Sequence, residues 1–220
     1  MHAIDLITPD IPPLRPLDDI GRALDWMEEF KVAHLPVVHD HRLVGLVKDS
    51  ELVDRNDPRA AVNTVMEQVE VPFVRSGQHV YEVMKLLSER NLTVVPVIDE
   101  VGRYLGSITE HMALGKLVEM TNVHEPGSVV VLEMNLADYS LQQIARIVEG
   151  SDAKVLSVYN HTLPGTSRVE VTLKINREDI SDILQTFDRY DIFVKTTYQG
   201  SRFQDDLRNR YDELMRFINL

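Results

Sequence analysis

The fold is decided by a stretch that reads Leu35-Pro36-Val37-Val38, then four turn-like residues, then Leu43-Val44-Gly45-Leu46-Val47. It occurs a second time as Val95-Pro96-Val97-Ile98, five such residues, and Tyr104-Leu105-Gly106-Ser107-Ile108. Each copy predicts two short strands joined by a hairpin turn. Because a unit that recurs in this way cannot bury its apolar face alone, the two copies are expected to pack against each other.

The match between the copies continues upstream into a predicted helix. Its apolar positions have the spacing of one buried face and recur 60 residues later: Ile20, Ala23, Leu24 and Met27, then Val80, Val83, Met84 and Leu87. A further helix is expected after each hairpin, one opening at Asp49 or Ser50 and one covering 109–120. Before the first copy, the prolines of 11–16 forbid a helix and favour an extended edge segment.

Composition bounds the class of protein. The chain has 220 residues, is 44% hydrophobic and contains no cysteine. This excludes wholesale disorder, disulfides and thiolate chemistry. No stretch approaches 18 apolar residues, and Met1–Asp5 lacks the basic start of a signal peptide. The sequence therefore predicts a soluble, cytoplasmic protein.

The formal charge of −12 argues against two classes of partner. Nucleic-acid backbones are bound by clustered Lys and Arg that release counterions, and no such cluster is present in the sequence. An acidic surface also disfavours anionic membranes. We expect neither nucleic acid nor membrane as a partner.

The repeated strand pattern resembles a tandem pair of CBS motifs, named after cystathionine β-synthase, with one copy at 1–60 and the other at 61–121. The resemblance implies a pseudo-two-fold α/β module with a cleft between the copies. In many relatives that cleft binds an adenosine-containing ligand, so AMP, ADP, ATP and S-adenosylmethionine are the candidates. A glycine in the second strand would let a planar ligand approach the backbone.

The family places Ser or Thr at the end of the second strand and Asp three residues later. This chain has Lys48 and Glu51 in the first copy, and Thr109 and Met112 in the second. Lys48 could meet a phosphate and Glu51 a ribose, or they are a solvated lysine and a glutamate favoured by the helix dipole. Thr109 is a ligand contact or an ordinary helix cap. The candidate ligand-binding residues of the cleft are Pro13, Lys48, Glu51, Thr93, Pro96 and Thr109.

A polar break at 122–127, with Pro126-Gly127, separates a second domain at 128–200. Its pattern predicts the order β-α-β-β-α-β of the ferredoxin-like arrangement. The helix at 139–149 is expected to bury Leu141, Ile144, Ala145 and Val148. The fold class is therefore α/β (α+β): a CBS pair, then a ferredoxin-like domain and a C-terminal helix.

This second domain resembles an ACT domain, a regulatory module that often binds amino acids and often pairs its sheets between chains. The corresponding loop contains Asn135, Asp138 and Tyr139 but lacks the family's glycine. The departure favours assembly over amino-acid binding. A CBS pair followed by such a domain is similar in layout to the acetoin-utilisation B-type proteins.

The tail at 201–220 predicts an amphipathic helix from about residue 204. Its apolar stripe consists of Leu207, Tyr211, Leu214 and Ile218. The helix either docks on its own domain or is exchanged with another subunit or partner.

No pattern predicts catalysis or a resident metal. The turn His39-Asp40-His41 lacks a third ligand nearby in sequence, and nothing assembles a nucleophile, base and orienter. The protein is expected to be a non-enzyme. Two functions remain open: a sensor whose cleft binds an adenosine-type ligand and signals through the ACT-like domain, or an adaptor that binds no ligand. Both predict a homodimer or higher homo-oligomer.

Overall fold

A computed structural model of the chain describes residues 1–66 and 70–199. Met1–Lys116 form one compact unit, and the described residues from Leu117 onwards form a second. Both mix helices with β-sheet, which confirms the α/β (α+β) class. The helix predicted for 201–220 lies outside the described residues.

The first repeat consists of α1 (Ile20–Phe30), β1 (His34–His39), β2 (Arg42–Lys48) and α2 (Asp49–Arg55). β1 and β2 form an antiparallel hairpin. Asp40 and His41 connect them with positive φ angles of 48° and 62°. Two such residues are typical of the type I′ turn, whose twist suits a tight hairpin.

The second repeat follows the same order. It consists of β3 (Val74–Arg75), α3 (Val80–Arg90), β4 (Val94–Ile98), β5 (Tyr104–Thr109) and α4 (Glu110–Met120). β3 runs parallel to β4 through the pair Val74–Val97, and Leu14–Val37 is the same parallel pair 60 residues earlier. The β4–β5 turn contains Gly102 at φ 84°, the positive angle expected from its sequence.

Two connecting segments cross between the repeats. We call 1–8 the N-terminal strap and 60–66 the inter-repeat strap. In the N-terminal strap, Ala3 N–H donates to Gln78 O of the second repeat at 2.8 Å; in the inter-repeat strap, Val62 N–H donates to Asp18 O of the first at 2.9 Å. Asp18 and Gln78 lie 60 positions apart, so the two contacts are related by the pseudo-two-fold axis. The predicted symmetry is therefore present in the structure.

The core of the first unit lies under these elements. The helices α1 and α3 bury one stripe each, as their spacing predicts, and β1 and β4 bury nearly continuous runs. The fully buried large side chains include Leu14, Ile20, Leu35, Leu52 and Ile108. Burying an aliphatic side chain of this size stabilises by about 1.5–3 kcal/mol. Each repeat contributes apolar surface that the other covers, since Val94 of the second packs in the cluster formed by the first.

The second unit has the order β6 (Ser128–Asn135), α5 (Leu141–Glu149), β7 (Val155–Thr162), β8 (Arg168–Ile175), α6 (Ser181–Arg189) and β9 (Val194–Tyr198). The strands lie in the sheet as β7-β8-β6-β9, and every neighbouring pair is antiparallel. This is the ferredoxin-like topology predicted from the sequence. Its core includes Leu132, Ile144, Leu173 and Phe187.

The face of α5 differs from the prediction. Leu141 is 44% exposed, while Ile147, which the prediction left out, is buried. The reason is the start of the helix: residues 136–138 form a separate 3₁₀ turn, and α5 begins after Ser140, whose hydroxyl accepts from Gln143 N–H at 3.3 Å. Leu141 is then the first residue of the helix, and it lies at the edge of the buried stripe.

Candidate functional site

A cavity of about 560 Å³ lies between the two repeats. This is within the range of about 300–1,000 Å³ that small-molecule sites occupy. Four stretches supply its walls: the segment after the N-terminal strap, the end of α1, the start of β4 and the start of α4. The lining residues are Thr8, Asp10, Ile11, Phe30, Lys31, Val32, Thr93, Thr109, Glu110, His111, Met112 and Leu114. We call this the main cavity.

Thr109 is positioned by the transition from β5 to α4. Its Oγ1 accepts from Met112 N–H at 3.1 Å, so it caps the helix. The cap leaves the hydroxyl proton available to donate into the main cavity, so the two interpretations of Thr109 are compatible. Met112 lines the same wall. Its thioether stands where the family pattern has the aspartate that would bind a ribose.

Thr93 links the repeats as well as lining the main cavity. Ala33 N–H donates to Thr93 Oγ1 at 2.9 Å. Thr93 N–H donates to His34 Nδ1 at 3.3 Å, and Thr93 Oγ1 lies 3.1 Å from the same nitrogen. Because Nδ1 accepts from the backbone, the network assigns the ring proton to Nε2 and makes the threonine hydroxyl the second donor.

His34 is buried, with 6% of its surface exposed. Burial lowers its pKa below the ordinary value of 6.5, and the Lys48 ammonium lowers the pKa further. Asp49 and Glu51 act in the opposite direction with smaller effects. The result favours the neutral ring that the hydrogen bonds to Thr93 require.

Thr8 and Asp10 form a fixed pair on the wall facing α4. The Thr8 hydroxyl donates to Asp10 Oδ2 at 2.8 Å, and Asp10 N–H donates to Thr8 Oγ1 at 3.1 Å. Thr8 is buried and is itself held by its N–H, which donates to Ser107 O of β5 at 3.0 Å. A carboxylate is therefore presented to the main cavity by a buried threonine.

The corresponding place beside the first repeat is much smaller. A cavity of about 50 Å³ there is lined by Gly45, Leu46, Glu51, Met66, Glu70, Val71 and Pro72. Glu51 Oε2 accepts from Lys48 N–H at 3.0 Å, the capping contact of α2. Glu51 thus lines the small cavity while serving the helix, and Lys48 is its exposed cap residue.

The strand glycines are covered by the protein's own straps. A Cβ on Gly45 would stand 2.5 Å from Met66 Cε of the inter-repeat strap, and Ile7 of the N-terminal strap covers Gly106 in the same way. The expectation that these glycines leave room for a planar ligand is therefore corrected: they leave room for Met66 and Ile7.

The remaining predicted cleft residues lie elsewhere. Pro13 lines a separate surface cleft with Trp26, and Pro96 is buried in the middle of β4. Of the six candidates, Thr93 and Thr109 are the two that the structure brings to the main cavity. Asp10, Lys31, Glu110 and His111 were not predicted. Glu110 and His111 directly follow Thr109, so the predicted helix start could have indicated them, whereas no sequence pattern indicated Asp10 or Lys31.

In the second unit, Asn135 and Asp138 line a cavity of about 360 Å³ together with Arg168. Asn135 Nδ2 donates to Asp138 Oδ2 at 3.3 Å. Tyr139 instead packs against the buried core of the unit. The loop residues named from the sequence are thus divided between a cavity wall and the core.

The described residues offer neither a metal-binding cluster nor a membrane-spanning helix. Over 1–66 and 70–199, no three His, Asp or Glu side chains are grouped so that they could hold a metal ion. Within the same ranges, no helix has both the length and the apolar character that crossing a bilayer requires.

Comparison with known proteins bears on the first unit. A sequence model of a family described as "CBS domain" matches residues 3–56 and 62–119. Inosine-5'-monophosphate dehydrogenase from Methanocaldococcus jannaschii is 26% identical over 108 residues, which cover 49% of this chain and 22% of that protein. The magnesium transporter MgtE from Thermus thermophilus is 35% identical over 95 residues, which cover 42% of this chain and 21% of the transporter. The chain therefore matches only a minor part of the length of either relative.

A solved structure with a similar fold is that of a CBS domain pair/ACT domain protein from Thermotoga maritima. It is 22% identical to this chain, with a TM-score of 0.49. The superposition covers 54% of this chain and 98% of the other.

Proposed function

The chain belongs to the CBS domain family, and from this premise we propose that it is a non-catalytic regulatory protein that senses an adenosine-type small molecule. The main cavity is the binding site. The observation that carries the proposal is a single space of about 560 Å³ whose walls come from both repeats. A ligand there contacts both repeats at once, so its binding favours one arrangement of the pair over another.

The chemistry of the walls fits a nucleoside. Ile11, Val32 and Leu114 provide apolar surface for a base. The Thr109 hydroxyl and the Asp10 carboxylate provide a donor and an acceptor for sugar hydroxyls. Thr93, which is tied to Ala33 and His34 of the first repeat, carries the effect of binding from one repeat to the other.

A thermal-shift screen with adenosine, AMP, ADP, ATP and S-adenosylmethionine tests the proposal. A ligand at 100 times its dissociation constant should stabilise the folded state by about 2.7 kcal/mol. For a chain of this size that corresponds to a rise of several degrees in Tm. Thr109→Ala should weaken binding, and Glu51→Ala should not.

A matched pair of substitutions locates the site. Leu114→Trp should fill the main cavity and abolish the shift. Val53 occupies the corresponding position of α2 and is similarly exposed, at 60% against 58%. Val53→Trp should therefore leave the shift unchanged. A screen without any stabilising compound, or equal effects of the two tryptophans, would contradict the proposal.

For the second unit we propose the role of an ACT-like domain that assembles the protein into a homodimer or higher oligomer. Its ferredoxin-like sheet supports the ACT resemblance. In layout, the chain resembles the acetoin-utilisation B-type proteins. Light scattering with and without the stabilising compound would show whether the mass depends on the ligand.

One observation favours the adaptor as a second candidate. The cavity beside the first repeat holds only about 50 Å³, and the Glu51 carboxylate already accepts from the backbone of its own helix. One half of the module is thus closed to a nucleoside. An oligomer that forms normally while no compound stabilises it would favour the adaptor over the sensor.

A further inference from the structure

We infer that the main cavity selects adenosine-type ligands whose 5′ substituent is neutral or cationic, and that it rejects nucleotides that carry phosphate there. This inference rests on the proposed function and names the ligand class for the same site. It is carried by the charged side chains that line the cavity and by the way two of them are held.

The walls carry more negative than positive charge. The side chains of Asp10 and Glu110 are carboxylates, Lys31 supplies one ammonium group, and His111 counts as neutral in the formal charge. Among the described lining residues, two negative charges therefore face one positive charge. A phosphate brought into this space would add one or two further negative charges, which the two carboxylates repel. Because Asp10, Lys31 and Glu110 are exposed, salt screens this repulsion.

The start of α4 is where a phosphate would otherwise be favoured. An α-helix N-terminus carries a partial positive charge of about half a unit and offers free N–H groups. In this protein Glu110 is the first residue of α4 and places a full negative charge there. One of the free groups is also used, since Met112 N–H donates to Thr109 Oγ1. The partial positive charge at the start of α4 is thus already compensated by Glu110.

The Asp10 carboxylate is suited to accept hydrogen bonds from ligand hydroxyl groups, which a phosphate does not require. Thr8, which is 6% exposed, binds Asp10 Oδ2, and among the described residues no other side chain holds this carboxylate. Oδ1 is therefore left to accept from a ligand donor. Vicinal ribose hydroxyls are such donors. Asp10 then supplies, in the same cavity, a carboxylate that α4 lacks at Met112.

Isothermal titration of the full chain tests the inference with adenosine, S-adenosylmethionine and AMP. We expect adenosine and S-adenosylmethionine to bind the unmodified protein at least about tenfold more tightly than AMP. Asp10→Asn and Glu110→Gln should each improve the affinity for AMP relative to adenosine by about fivefold, because each removes one repulsive charge. The ratio of the affinities for AMP and adenosine isolates the effect of charge. Asp10→Asn also weakens the ribose contact, but that loss is common to both ligands and cancels in the ratio.

Glu28→Gln provides the control, since it removes a carboxylate from the exposed face of α1, away from the main cavity. Glu28→Gln should leave the ratio of the affinities for AMP and adenosine unchanged. Raising the salt concentration should reduce the preference of the unmodified protein for adenosine over AMP. Tighter binding of AMP than of adenosine, or a ratio unaffected by both cavity variants, would overturn the inference while leaving the sensor intact. Failure of all three compounds to bind would overturn the sensor as well.

Discussion

His34 and Thr93 carry the connection between the repeats at the scale of single residues. One imidazole nitrogen accepts both the backbone N–H and the hydroxyl of a residue that stands on the wall of the main cavity. The arrangement needs an unprotonated Nδ1. Protonation of the ring would replace two attractive contacts with a donor facing donors, in a place where only 6% of the side chain is exposed.

The lowered pKa of His34 predicts how stability changes with pH. Since the pKa in the folded state lies below 6.5, the unfolded chain takes up a proton first as the pH falls. Stability from this group is full above pH 6.5 and decreases below it. At pH 5.5, one unit below the unfolded value, the loss is at most about 1.4 kcal/mol.

His34→Asn should remove this dependence, because the asparagine oxygen can accept in place of Nδ1 but does not titrate. Thermal unfolding at pH 7.5 and 5.5 measures the difference. His161→Asn, on an exposed strand position, is the control and should show the same change of stability with pH as the unmodified protein. If His34→Asn shows it too, another group is responsible.

At the scale of elements, the straps and the strands they cover are packed as pairs. Met66 lies over Gly45 and Ile7 over Gly106, so each strand glycine is matched by an apolar strap residue. These glycines therefore define how closely a strap approaches β2 or β5. The arrangement accounts for a repeated glycine without any ligand.

Gly45→Ala should accordingly lower stability by about 1 kcal/mol, the lower limit for an extra methyl in a packed site, because the nearest atom is the flexible end of the Met66 side chain. Combining it with Met66→Ala should recover about 1 kcal/mol of the sum of the single effects, because the two sites are in contact. Urea unfolding of the four proteins in this cycle measures the coupling. Gly77→Ala is a suitable control, since nothing lies within 4 Å of its added Cβ. Strict additivity would mean that Met66 does not determine the need for glycine.

Sequence periodicity predicted these elements well because the strongest signals are local. The apolar spacing of α1 and α3 is complete within eleven residues each, and both helices occur where it indicates. The buried face of α5 was harder to predict, because the Ser140 cap and the preceding 3₁₀ turn decide at which residue the helix begins.

The site was predicted in part for a related reason. Thr93 and Thr109 belong to the repeat, so the pattern pointed to them. Asp10 reaches the main cavity because Thr8, at the end of the N-terminal strap, pairs with Ser107 of β5, a contact between residues far apart in sequence. No periodicity encodes such a contact. It depends on the packing of the whole unit.

At the scale of the whole molecule, the two units have separate cores. The cluster around Leu132 and Phe187 contains residues of the second unit only, and that around Leu52 contains residues of the first only. We therefore expect damage to one core to remain in that unit.

Leu132→Ala should destabilise the second unit by about 2–5 kcal/mol, the range found for buried leucines. Amide hydrogen exchange should show lost protection after residue 127, while protection of α1 and α3 and binding of the ligand in the main cavity persist. Leu52→Ala, equally buried, should have the opposite distribution. Equal loss of protection in both units after either substitution would contradict separate cores.

The crossing of the two straps has a practical consequence for anyone who divides this protein into pieces. A fragment that stops at residue 60 keeps Ala3 but discards Gln78, the acceptor to which Ala3 is bound, and it keeps Asp18 while losing the donor Val62. Such a fragment therefore lacks one partner of each of these two hydrogen bonds between the repeats. A fragment of residues 1–120 retains both of these contacts and all of α4, so expression of a minimal version should begin there.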